Sequence, residues 1–169
     1  MDASTRRNAV LRALTEADGP VSASTLAAQF SVSRQIIVGD VALLRASGEA
    51  ISATPRGYVL DRAAEGVRHT VACRHRMEGT ERELQIMVDN GCTVLDVVVE
   101  HAVYGQLTGQ LHIRSRYDVA QFMERLISDG AKPLSSLTDG IHLHTLLCPD
   151  EAAFQRTRDA LRAEGFLFE

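Results

Sequence analysis

Asp139-Gly140-Ile141-His142-Leu143-His144-Thr145 is a turn running straight into a strand. Asp-Gly is a strong turn signal, and Ile141, Leu143, Thr145 and Leu147 then alternate with His142, His144 and Leu146. Residues two apart on a strand share a face, so His142 and His144 project side by side. Such a pair can chelate one metal ion through neutral imidazole, or it can be the polar, solvent-facing side of an ordinary strand. The flanking sequence has to decide between these readings.

Just upstream, Lys132 to Thr138 is a polar loop. Before it, Ser115 caps a helix from Arg116 to about Ser128, with Val119, Phe122, Met123 and Leu126 inward and Gly130 closing it. Downstream, Pro149-Asp150 starts a last helix bearing Ala153, Phe154, Thr157 and Leu161. Further out, Cys92 to His101 and Gln106 to Ile113 read as a hairpin turned at Tyr104-Gly105. Thr80 to Asn90 is helical, with Leu84, Met87 and Val88 on one face, and Val67 to His75 alternates as a strand. The order β-α-β-β-α-β-α predicts an α/β sandwich over residues 67–169, a mainly antiparallel sheet covered on one face by helices.

In that unit His75 closes the first strand, and Glu83 follows on the next helix. A strand-loop-helix connection can fold Glu83 back toward His75, and His142 and His144 then complete a set of three nitrogens and one oxygen. His101 is a competing ligand, or a neighbour of the site. His69 and His112 read as surface-strand residues, and Cys73 as a soft ligand or a buried thiol. The three cysteines show no C-x-x-C spacing, which predicts reduced thiols rather than a disulfide framework.

Residues 1–66 form a different kind of unit. Ser4-Thr5 can cap a helix with Ala9, Val10, Ala13, Leu14 and Ala17 at helical spacing, ended by Asp18-Gly19-Pro20. Ser24 can cap a second, short helix with Leu26, Ala27 and Phe30. A turn at Ser31-Val32-Ser33 precedes a third helix from Arg34 to about Ser47, stopped by Gly48. Ile36, Ile37, Val41, Leu43 and Leu44 surround its core stripe, with Arg34, Gln35 and Asp40 facing out. Ile51 and Tyr58-Val59-Leu60 then flank a tip containing Pro55-Arg56-Gly57. Three helices and a hairpin make a winged helix-turn-helix, giving an α+β chain overall. Ser33, Arg34 and Gln35 stand where a recognition helix first meets base edges. Arg56 on the wing and Arg6 and Arg7 on the first helix can meet phosphate. A module this small makes a limited interface, which favours a homodimer on a two-fold site in double-stranded DNA.

Charge divides at the same place: seven Arg balance seven acidic residues in 1–66, while 67–169 hold eleven basic and fifteen acidic residues. No run approaches the roughly 18 apolar residues of a membrane span, and the start lacks a signal-peptide core, so a soluble cytoplasmic protein is expected. A metal-activated water between His and Glu could support hydrolysis, but no nucleophile elbow, phosphate loop or paired carboxylates accompany it. A regulator is the better reading. A metal sensor without an organic effector, or a small metallohydrolase fused to a DNA-binding unit, are the alternatives.

Several segments together resemble one family. They are Val32-Ser33-Arg34-Gln35, Ala53-Thr54-Pro55-Arg56-Gly57-Tyr58, Val88-Asp89-Asn90-Gly91, Val94-Leu95-Asp96-Val97, Val103-Tyr104-Gly105, Ser115-Arg116-Tyr117-Asp118-Val119 and Pro133 through His144. The chain resembles the niacin-responsive transcriptional repressors, which join a winged helix-turn-helix to a three-histidine (3H) regulatory domain. The resemblance covers essentially the whole chain. It implies a homodimeric repressor of genes for NAD biosynthesis or niacin transport, with nicotinic acid as co-repressor. It also implies one divalent transition metal per chain on His75, Glu83, His142 and His144, nickel or zinc first, with iron or manganese compatible. Arg116, Ser135, Ser136, Thr138 and His101 are the effector-binding candidates. One departure from the family pattern is the Gly-containing segment Arg76-Met77-Glu78-Gly79.

Overall fold

The computed structural model describes residues 2–62 and 65–169, and the chain divides into two compact units, Met1–Ala64 and Glu65–Glu169. The division falls two residues before the Gly66 boundary read from sequence. The first unit is α1 (Ala3–Glu16), α2 (Ala23–Phe30) and α3 (Arg34–Ala46), then the antiparallel hairpin β1 (Ile51–Thr54) and β2 (Gly57–Leu60).

Two caps in this unit differ from expectation. Asp2, not Ser4 or Thr5, caps α1 by accepting the Ser4 and Thr5 N–H groups. A carboxylate there also answers the positive end of the helix dipole. Ser22, not Ser24, caps α2 by accepting the Thr25 N–H. The reason is tertiary: Val21 and Tyr58 exchange main-chain hydrogen bonds of 2.9 Å, which holds the chain extended up to Ser22. That approach requires Gly57, where a Cβ would stand 2.4 Å from the Val21 main chain and φ is +135°. Val10, Leu14, Leu26, Ile37, Val41, Leu44 and Ile51 form the core. Ile36 and Leu43 lie outside the α3 core stripe, at 42% and 55% exposure, while Asp40 is inside it at 4%. Asp40 turns inward because Arg6 of α1 reaches it, Nε to Oδ2 at 2.6 Å and a second contact at 3.2 Å.

The second unit runs β3 (Val67–Arg74), α4 (Thr80–Asp89), β4 (Thr93–His101), β5 (Gly105–Ile113), α5 (Arg116–Ser128), β6 (Ile141–Cys148) and α6 (Glu151–Ala163). Short 3-10 turns, Met77–Gly79 and Leu134–Thr138, precede α4 and β6. The sheet order is β3-β6-β4-β5 with every neighbour antiparallel, so the last strand is inserted between the first and the second. The core of Val71, Leu84, Met87, Val94, Leu111, Val119, Leu146, Phe154 and Leu161 sits between sheet and helices. This is the antiparallel sheet with helices read from the element order.

The central position of β6 decides which of its faces is buried. His142, His144, Leu146 and Cys148 are buried, whereas Ile141, Leu143, Thr145 and Leu147 are only half-buried. A second correction concerns the cysteines. Cys92 and Cys148 form a disulfide, because Thr93 pairs with Leu147 and so brings residues 56 apart in sequence opposite each other. Cys73 stays a free, buried thiol.

Candidate metal centre

Glu83 is the hub of the second unit. It lies in the first turn of α4, whose apolar neighbours Leu84 and Met87 pull that face into the core. Its carboxylate is 1% exposed and meets three imidazoles: His75 Nε2 at 2.7 Å, His142 Nε2 at 3.0 Å and His144 Nε2 at 3.4 Å. The imidazole side chains are 6%, 2% and 4% exposed respectively. His75, Glu83 and His142 each offer a donor atom within 4.8 Å of the others.

The opposite edge of each ring is tied to the main chain. His75 Nδ1 lies 2.7 Å from the Arg76 carbonyl, His142 Nδ1 2.9 Å from the Gly140 carbonyl, and His144 Nδ1 2.6 Å from the Asp96 carbonyl. A carbonyl only accepts, so each Nδ1 carries the proton, and in the neutral ring each Nε2 is left as a lone pair. Three lone pairs turned toward one buried carboxylate repel it unless positive charge stands among them. His75 Nε2 is a buried polar atom whose short contact with Glu83 is not aligned as a hydrogen bond. This donor set of three nitrogens and one carboxylate, with every ring oriented from behind, fits a divalent transition metal.

Without an ion, protons supply the positive charge. Burial pushes the His75 and His144 imidazoles down, but contact with Glu83 and its charge outweigh burial and hold both above their usual range. Burial likewise raises Glu83, and is overcome by the charge of His144, the hydrogen bonds of His142 and His144 and the close contact of His75, leaving the carboxyl well below its usual value. Burial, then the charge and hydrogen bond of Glu83, push the Cys73 thiol up, so Cys73 sits beside the cluster as a protonated donor.

Local structure explains how the sequence makes this arrangement. A bulge in β4 at Asp96 turns its carbonyl toward His144, while its carboxylate accepts the Thr145 N–H at 2.9 Å. Gly140, with φ +91°, lets the turn before β6 pass close to the chain at His75, where a Cβ would lie 2.5 Å from the His75 carbonyl oxygen. Gly79 packs on the His75 ring, a Cβ there falling 2.9 Å from Cγ and Nδ1. The Gly-containing departure after His75 therefore has a steric reason. Sequence reasoning named Gly140 only as a turn and Gly79 only as a departure from the family pattern, and gave Asp96 no role at the site. The available signal was a lone Asp within an apolar strand; the contacts of the two glycines with His75 come from the fold.

A cavity of about 470 Å³ opens beside His75, and Ser135 and Ser136 line it. Thr138 stands behind, its hydroxyl shared between the carbonyls of Ser135 and Ile141. The other two effector candidates lie elsewhere. Arg116 is paired with Asp89 at the end of α4, at 2.7 and 2.6 Å. His101 ends β4 and accepts the Val103 and Tyr104 N–H groups at the hairpin turn. Neither residue lines this cavity.

In the first unit, Ser33 caps α3 by accepting the Ile36 N–H, and Arg34 and Gln35 follow it exposed. Arg56 is half-buried at the wing tip, and Arg7 is half-buried on α1. Arg6 is turned to Asp40 and serves the packing of α1 on α3.

Residues 68–169 match the 3H domain family and residues 6–59 match an HTH domain family. Two curated relatives align over nearly the whole chain. A probable transcription repressor NiaR of Thermotoga maritima is 42% identical, over 97% of this chain and 94% of its own length. The transcription repressor NadR of Bacillus subtilis is 44% identical, over 97% of this chain and 93% of its own. The chain belongs to the niacin-responsive transcription repressor family. As a member it is a DNA-binding transcription repressor and not an enzyme, which sets aside the metallohydrolase alternative. Among the described residues no helix is long and apolar enough to cross a membrane.

Proposed function

We propose that this repressor holds one divalent transition metal on His75, Glu83, His142 and His144 and uses nicotinic acid, bound beside that site, as co-repressor of NAD-biosynthesis or niacin-transport genes. The observation that carries the reading is the set of three main-chain-anchored imidazoles converging on buried Glu83 next to an open cavity. A nickel-like or zinc-like ion there supplies a fixed positive charge and a Lewis acid. The chain's own residues do the rest: they orient the donors, bury all four, and leave the His75 ring bordering the cavity. The active species is a cytoplasmic homodimer that places two α3 helices on a two-fold operator. Nicotinate shifts operator affinity by no more than its preference for the DNA-competent arrangement.

Operator affinity of the purified protein, titrated with nicotinate with and without a chelator, tests this directly. Affinity rises with nicotinate and the rise is lost with the chelator; affinity unchanged throughout sinks the proposal. A second reading, sensing of the metal alone, is favoured by the near-complete enclosure of the four donors. Thermal stabilisation by metal with no further shift on adding nicotinate would select it.

A further inference from the structure

The cavity beside His75 has a charge pattern that none of the sequence-based effector candidates explains. Its lining includes two cationic residues, Arg74 and Arg76, against one acidic residue, Asp139, with Met77 and Pro133 as apolar surface. Arg74 lies 3.9 Å from Asp139, a pair exposed at both ends and so screened by water. The Arg76 side chain makes no ion pair or hydrogen bond among the described residues. Its carbonyl, however, accepts the His75 Nδ1 proton at 2.7 Å, which joins it directly to the histidine cluster. One residue thus fixes a donor ring with its main chain and presents an unengaged cation to the adjoining cavity.

We infer that Arg76 recognises the carboxylate of the effector, with Arg74 as the second cation, and that this charge selects nicotinate over its uncharged amide. The inference rests on the nicotinate reading proposed above. A guanidinium offers parallel N–H donors that match both oxygens of a carboxylate, and such charge-assisted pairs are the strong ones. A carboxamide presents one acceptor and an NH2 group, so it sets donor against donor on the same fork. Met77 and Pro133 provide the apolar surface that a flat pyridine ring needs, and His75 borders the same space. Arg116 does not line this cavity and is paired with Asp89 at the far end of α4.

Calorimetric titration of the metal-loaded full chain with nicotinate and with nicotinamide tests the inference, metal content being measured for each protein. The wild type binds nicotinate and discriminates against nicotinamide. Arg76→Gln lowers nicotinate affinity about ten- to a hundredfold, the size expected for a charged hydrogen-bond pair, and collapses the nicotinate-to-nicotinamide ratio. Arg116→Gln leaves both affinities unchanged. An Arg76→Gln protein with wild-type nicotinate affinity overturns the inference while the proposed function stands. Equal losses for both compounds, or a wild type that binds both equally, also overturn it. A wild type that binds no nicotinate overturns the proposed function and this inference together.

Discussion

Each imidazole of the cluster commits its Nδ1 proton to a main-chain carbonyl, and this makes the residues specific rather than merely close. Replacing both His142 and His144 by Ala removes two of the three lone pairs; the expected result is a large fall in metal content with the circular-dichroism spectrum retained. Full metal occupancy in that variant would refute the ligand assignment. Gly140 is the residue on which the turn depends. In Gly140→Ala the added Cβ meets the His75 carbonyl at 2.5 Å and the backbone is held at φ +91°. A stability loss of roughly 1–3 kcal/mol is expected, together with weaker metal retention because His75 must move. Chemical denaturation with a parallel metal assay would measure both.

At the scale of elements, α3 carries two jobs on two faces. Ile37, Asp40, Val41 and Leu44 point inward, while Arg34 and Gln35 lie exposed behind the Ser33 cap. Arg34→Ala should weaken operator binding and leave the melting temperature and nicotinate binding unchanged. Arg6→Ala should instead lower the melting temperature, and operator affinity only as a consequence, because it strands Asp40 inside the unit. The opposite pattern for the two variants would reverse these assignments. β6 likewise joins two roles: the face it shares with the core also carries the cluster, since Leu146 and Cys148 continue the row of His142 and His144. Its neighbours contribute from both sides, β3 leading into His75 and β4 lending the Asp96 carbonyl.

At the scale of the whole molecule, a co-repressor couples two binding events, and the coupling is reciprocal. Whatever factor nicotinate adds to operator affinity, saturating operator DNA must add to nicotinate affinity. Titrating nicotinate into the free protein and into the operator complex should therefore give affinities differing by the factor read from the DNA titration. Equal affinities beside a real effect on DNA binding would contradict a two-state repressor. The element order, the two-unit division near Gly66 and the placement of His75, Glu83, His142 and His144 on elements of the second unit were legible because each rests on local signals. Apolar period, Asp-Gly and Asn-Gly turns and the His-x-His spacing are all properties of neighbouring residues. Caps at Asp2 and Ser22, the inward turn of Asp40, the Cys92–Cys148 bond and the separation of Arg116 and His101 from the cavity were not legible. Each of these depends on a partner more distant in sequence or on a competition between adjacent acceptors. The alternation at Ile141 to Thr145 determined by itself that His142 and His144 share a face. Only the insertion of β6 between β3 and β4 decided that this face is buried, because a central strand covered by helices loses water on the side where Glu83 of α4 arrives.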